Sequence, residues 1–195
     1  MTKTTELGDF WKDGTPGFVH QRLGNAWWAW MAWALTLEDS AGYIGDRSFH
    51  VRRPDGAVVM PLTLCVRAML LGYAIECALK GLWVKKGNQI VQSGQYVGVA
   101  KCRDHDLVQL SGAVCFSPTK TESDVLQRLS KFVKFAGRYP VPKRPDEMQP
   151  YETPVIGRID VGFFSKRDFR TAQSILNKIV SLISGKKRRV HGFER

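Results

Sequence analysis

Apolar residues recur at helical spacing along nearly the whole chain, and five helices follow from that pattern. The first is expected over residues 19–44. Its centre, Ala26 to Leu35, is apolar on every side, which predicts a helix surrounded by protein. That protein is either the rest of the bundle alone or a bundle on one side and a partner subunit on the other. The second runs from Pro61, suited to a first turn, to Lys86, with Gly87-Asn88 as its C-terminal cap. A short third helix starts near Asp104-His105-Asp106, with Asp104 as N-cap and Leu107, Val108 and Leu110 facing inward. Ser117-Pro118 opens a fourth, in which Val125, Leu126, Leu129, Phe132, Val133 and Ala136 share a face and Gly137 ends the run. The fifth begins with the capping box Ser165-x-x-Asp168, buries Phe169, Ala172, Ile175, Leu176, Ile179, Val180 and Ile183, and stops at Gly185.

Between these lie breaker-rich connections. Residues 45–60 carry Arg52-Arg53-Pro54-Asp55-Gly56, turn chemistry between short extended pieces. Residues 88–104 read as a loop or a short hairpin. Residues 138–162 hold five of the nine prolines and cannot be regular helix. The expected fold is therefore an all-α, up-down bundle of four to five helices with a long proline-rich loop. Residues 1–18 form an N-terminal segment, 19–185 the bundle and 186–195 a basic tail.

Length agrees with one domain, since 195 residues are too few for two of ordinary size. The longest uncharged apolar run, Ala26 to Leu37, falls short of the roughly 20 residues a membrane span requires. The N-terminus has no apolar core of a signal peptide, so a cytoplasmic protein with reduced thiols is expected. Cys65, Cys77, Cys102 and Cys115 form no Cys-x-x-Cys pair. A metal site from Cys102, His105 and Cys115 would need irregular ligand spacing, and neither metal nor cofactor is expected.

The second helix carries the informative polar residues. From Ala68 to Val84 only Glu76 and Lys80 are charged, four apart on one face, with Tyr73 one turn before them. A charge removed from water must find a partner. The stripe is either a semi-buried ion pair that fixes helix register or one wall of a site.

Leu71-Gly72-Tyr73-Ala74-Ile75-Glu76-x-x-Leu79-Lys80-x-Leu82, followed after a glycine-bearing gap by His105-Asp106-Leu107-x-x-Leu110, resembles the HEPN family of helical domains. Arg138-Tyr139-Pro140 after the fourth helix is similar to what often follows in that family. The resemblance spans roughly residues 26–139 and, more loosely, the last helix. It implies a helical bundle that commonly dimerises, with RNA cleavage or RNA binding in prokaryotic toxin–antitoxin and antiviral systems. One departure is plain. Catalytic members carry Arg, then four to six residues, then His. None of His20, His50, His105 and His191 has Arg at that distance, and Lys186-x4-His191 in the tail is the nearest imitation. Two roles stay open for His105. It either orients a short helix by bonding across the bundle to Glu76, or serves as acid–base group with Arg138 or Lys80 stabilising charge. The candidate catalytic set is thus His105, Glu76 and Lys80, and the polar cluster adds Tyr73 and Asp106.

Net charge changes the picture once more. The chain is +11 overall, with +2 in residues 1–100 and +9 in residues 101–195. On the fourth helix Arg128, Lys131, Lys134 and Arg138 follow at spacings of 3, 3 and 4, and Lys143, Arg144, Lys166, Arg167, Arg170 and Lys178 add to the same half. Such a face is either solvated for solubility or binds a phosphate backbone, with Tyr139 and Tyr151 available to stack on bases. The expectation is an RNA-contacting protein, in a homodimer or with an antitoxin or other protein partner. The alternatives are a non-catalytic helical adaptor that binds its partner through the Trp-rich first helix, and an enzyme of another type around Glu76, Lys80 and His105.

Overall fold

The computed structural model describes residues 15–45, 51–52, 54–56, 58–59, 62–100, 102–103, 105–139 and 141–186. The expected Asp104 cap, Pro61, Arg53, Pro140 and the tail beyond residue 186 lie outside them.

Six α-helices hold most of the described residues: α1 (Pro16–Gly24), α2 (Trp27–Ile44), α3 (Leu62–Lys85), α4 (Leu107–Ala113), α5 (Lys120–Lys131) and α6 (Lys166–Ser184). Among the described residues, sheet is confined to three two-stranded antiparallel hairpins. These are β1 (Val51–Arg52) with β2 (Val58–Val59), β3 (Val91–Gln92) with β4 (Gln95–Tyr96), and β5 (Tyr151–Thr153) with β6 (Gly157–Ile159). The mostly helical class expected from periodicity is the class observed.

The helix expected over 19–44 is in fact two, broken at Gly24-Asn25-Ala26. A hairpin docks into the break. The Asn25 amide donates to the Val91 carbonyl at 2.7 Å, and its oxygen accepts from the Ile90 and Val91 N–H groups at 2.8 and 3.1 Å. Gly24 lies so close to Val91 that a Cβ there would stand 2.2 Å from Cγ2. A side chain that satisfies three backbone groups of a neighbouring strand offsets the helical bonds lost at the break.

The surrounded helix is α3, not α2. Ala68, Leu71, Ala74, Ile75, Ala78, Leu79 and Leu82 are buried, and α3 packs against α2, α4, α5 and α6. Glycines set those distances. A Cβ on Gly72 would lie 2.4 Å from Val133 Cγ2, and one on Gly81 would lie 3.3 Å from the Trp27 carbonyl oxygen. By contrast, α2 buries Ala34, Glu38 and Ala41 but leaves Trp33 61% and Tyr43 79% exposed. Of the two readings of this helix, enclosure by the rest of the bundle alone is therefore the one corrected. Its apolar residues outnumber what one inward face can use.

Capping follows the sequence closely at α6. Ser165 accepts from the Asp168 N–H, Asp168 returns the bond, and Gly185 closes the helix with φ of +68°. At α5 the N-cap is Thr119, in a capping box with Glu122, two residues past the expected Ser117. At α4 the cap is Asp106, whose carboxylate accepts from the Gln109 N–H at 3.0 Å. The α4 start is thus Leu107, later than the expected Asp104.

Beyond Lys131 the helix continues as one wide π turn, Phe132–Ala136, closed by Gly137. The proline-rich stretch that follows is pinned to α5. Asp124 Oδ1 accepts from the Val155 N–H at 2.9 Å, and Gln127 donates to the Glu152 carbonyl at 3.1 Å.

Candidate functional site

Three elements converge beside α3. Tyr73, Glu76 and Lys80 stand on one stripe of that helix, His105 precedes α4, and Arg138 follows the π turn. Close helix packing brings them together: a Cβ on Gly137 would lie 2.3 Å from Met69 Cβ and 3.0 Å from the Cys65 carbonyl oxygen.

Glu76 is the hub. Its Oε1 accepts from Lys80 Nζ at 2.7 Å, and its Oε2 is 2.8 Å from His105 Nδ1. The side chains run from sealed to open: 4% exposed at Glu76, 11% at Lys80 and 33% at His105. Burial alone would push the Glu76 carboxyl up, but the His105 hydrogen bond and the Lys80 charge outweigh it and hold the group below its ordinary value. Lys80 shifts the opposite way. Burial opposes its charge, yet the adjacent carboxylate raises its pKa further above the usual lysine range. Its ammonium also lies 5.4 Å from the Trp30 ring centroid and 5.5 Å from that of Tyr96. The charge balance beside Cys77 leaves burial dominant, and that thiol is pushed up to about 12.

An ionised Glu76 can only accept, so His105 Nδ1 carries the proton. Nε2 has no hydrogen-bond partner among the described residues. His105 itself has φ of +65°, a left-handed conformation uncommon outside glycine. Strain of about 1–3 kcal/mol is typical of such positions and persists only where surrounding contacts hold it.

Tyr73 links this imidazole to a cation. Its ring meets His105 edge-on, with centroids 5.6 Å apart at 86°. Arg138 Cζ lies 5.8 Å from the same ring and 5.5 Å from that of Tyr139. The wide turn frees the Val133 carbonyl, which accepts from Arg138 Nη2 at 3.0 Å and from the Tyr73 hydroxyl at 3.4 Å. Arg138 also donates to the Lys134 carbonyl at 3.1 Å. Both the cation and the phenol are therefore positioned by the same backbone irregularity.

The expected residues separate into groups. Tyr73, Glu76, Lys80 and His105 are together. Asp106 is not in the cluster: it is spent on the α4 cap. Lys80 as a charge stabiliser for a bound group is corrected as well, because its ammonium is buried, paired and flanked by two rings. Arg128 leaves the basic strip entirely. It is 1% exposed, with Nη1 and Nη2 2.5 and 2.8 Å from the two Asp168 oxygens and Nη2 2.9 Å from Asp124 Oδ2. A guanidinium sealed by two carboxylates cannot meet a phosphate.

Lys134, Arg138 and Lys143 are exposed, and Lys131 is half-buried with its ammonium 5.0 Å from the Tyr151 ring centroid. Arg144 is exposed but engaged with Glu147 at 3.2 Å. Arg167 and Arg170 are exposed on α6, while Lys178 pairs with Glu122 at 2.6 Å. Among the described residues no three His, Cys, Asp or Glu side chains are grouped to hold a metal ion, and no helix is long and apolar enough to cross a membrane. Comparison with family models, curated proteins and solved structures finds no match.

Sequence reasoning missed Trp30, Tyr96 and the π turn. The first two reach Lys80 from other elements, and no local spacing signals that. Arg128 was legible in part: Asp124 four residues before it and the Asp168 capping position both offered partners.

Proposed function

We propose that the protein is a HEPN-like helical protein of the cytoplasm that contacts RNA in a defence or toxin–antitoxin setting, with an antitoxin or a second copy as protein partner. The RNA surface in this reading is the strip His105, Tyr73, Arg138 and Tyr139, extended by Lys134 and Lys131. One observation carries it: Tyr73 touches both the His105 imidazole and the Arg138 guanidinium, so the paired motif that resembles HEPN meets the basic end of the fourth expected helix. Exposed arginine beside exposed tyrosine suits a single strand, where the cation takes phosphate and the ring stacks on a base.

Anisotropy of a labelled single-stranded RNA, measured across a salt series, tests the reading. Affinity should fall linearly on logarithmic axes, and Arg138→Ala should lower that slope by about 0.7, the contribution of one phosphate contact on a single strand. No binding, or a slope unchanged in the Arg138→Ala/Lys134→Ala double variant, would end it.

The Glu76–His105 pair favours a second reading, an enzyme in which Nε2 exchanges a proton with substrate while Glu76 holds the ring. RNA degradation in the presence of chelator, lost in His105→Ala while the variant still folds and still binds RNA, would support it. Degradation that survives His105→Ala excludes it.

A further inference from the structure

We propose that the ring of Tyr96, carried by the β3–β4 hairpin, is a positioning element for the His105 imidazole and acts on it through Lys80 and Glu76. The inference rests on the second reading above, in which His105 exchanges a proton with substrate.

Glu76 gives one carboxylate oxygen to each neighbour, Oε1 to Lys80 Nζ at 2.7 Å and Oε2 to His105 Nδ1 at 2.8 Å. The angle of the carboxylate thus sets the angle of the imidazole, which also meets the Tyr73 ring edge-on. Lys80 in turn holds the carboxylate. An ion pair alone does so loosely, because a lysine ammonium is a compact charge with rotatable donors on a flexible stem. Aromatic walls remove that freedom. Trp30 and Tyr96 approach Nζ from α2 and β4, with ring centroids 5.4 and 5.5 Å away, and the Lys80 side chain is left 11% exposed.

Both rings are held from outside the cluster, at the break between α1 and α2. Trp30 Nε1 donates to the Gly24 carbonyl at 2.8 Å. Asn25 binds the hairpin through the Ile90 and Val91 N–H groups, and Val91 pairs across the hairpin with Tyr96. The Ile90 carbonyl accepts from the Val97 N–H at 2.8 Å, which fixes the chain just past Tyr96. Tyr96 itself is 45% exposed. A side chain that stands half in water adds little to the core, yet this one shields a buried ammonium. Taking the ring away opens Lys80 to water, lets Nζ leave Oε1 and frees the carboxylate to turn. The Nδ1–H then loses its fixed acceptor, and with it the constraint that aims Nε2 at substrate.

Exchange of the His105 Nδ1 proton with water, followed by ring nitrogen-15 NMR of the histidine-labelled full chain near neutral pH, tests this. The unmodified protein is expected to show a resolved Nδ1 proton that is absent from His105→Ala. Tyr96→Ala should speed its exchange at least tenfold with far-UV circular dichroism unchanged. Tyr96→Phe keeps the ring and should stay within twofold of the unmodified rate. A merely structural Tyr96 would move thermal stability and leave this rate alone. The proposal is overturned by an unmodified protein without a resolved Nδ1 proton, by a Tyr96→Ala rate within twofold, or by Tyr96→Phe exchanging as fast as Tyr96→Ala. Activity is a separate arm. If the unmodified protein degrades RNA in chelator, Tyr96→Ala should lower kcat at least tenfold with KM within twofold, and an unchanged kcat overturns the proposal. If it degrades none while the exchange rates behave as expected, the enzyme reading fails and the hold of Tyr96 on the imidazole stands.

Discussion

Among the described residues two buried charge clusters stand out, and they differ in what lies at their edge. Around Arg128, all three members are sealed: side-chain exposure is 2% for Arg128, 1% for Asp124 and 7% for Asp168. Around Glu76, exposure climbs to 33% at the imidazole of His105. The first cluster closes on itself and ties α5 to α6, with Asp168 also completing the α6 cap. The second runs from an enclosed ammonium to a ring that solvent reaches. A charge network with no outlet can only hold the fold together. One with an outlet can also transmit the state of its buried members to whatever binds there.

The largest effect expected from this contrast is at Arg128. Arg128→Met would leave two carboxylates buried without their cation, a loss of about 3–5 kcal/mol by analogy with broken buried pairs. Urea denaturation monitored by circular dichroism measures it. A loss below about 1 kcal/mol would mean water enters the α5–α6 seam and the cluster is not sealed.

Glu76 comes next. Glu76→Gln removes two charge-assisted hydrogen bonds and leaves Lys80 without its anion, for about 2–3 kcal/mol at neutral pH. The pH dependence has a definite sign. The folded state holds the Glu76 pKa below its ordinary 4.5, so its contribution is fully present above that value and disappears as pH falls through the lowered one. The gap between unmodified protein and Glu76→Gln should therefore narrow on acidification below about pH 4.5. Lys80 works in the other direction. Its pKa is raised above 10.5, so its contribution persists throughout the neutral and mildly basic range. A gap that stays constant to low pH would show that Glu76 is not held ionised.

Much of this arrangement was legible in the chain itself. The apolar faces of α3, α5 and α6 follow from 3.6-residue spacing, and the Ser165-x-x-Asp168 box and Gly185 mark the ends of α6. The Glu76–Lys80 pair was readable from their spacing of four on an apolar helix, and the Glu76–His105 contact was one of the two roles open to His105. Sequence spacing could not reveal the break at Gly24-Asn25, which exists because a hairpin 66 residues downstream binds Asn25. Nor could it settle that Arg128 turns inward, although Asp124 four residues before it offered one partner. Its spacing matches Lys131 and Lys134, and only the arrival of Asp168 from α6 decides that it is core. Tertiary partners, not local pattern, decide which cations remain on the surface.

The smallest expected stability effect is at His105, and it is the sharpest test of the comparison. If solvent reaches the imidazole, water can replace Nδ1 as the donor to Glu76, and His105→Ala should cost about 1 kcal/mol. Relief of the left-handed backbone at this position would not offset that, because alanine is strained there too; His105→Gly should recover part of the loss. Thermal denaturation of the two variants beside Arg128→Met ranks them. Should His105→Ala destabilise as much as Arg128→Met, the second cluster is as closed as the first, and the imidazole is a structural strut with no acid–base role.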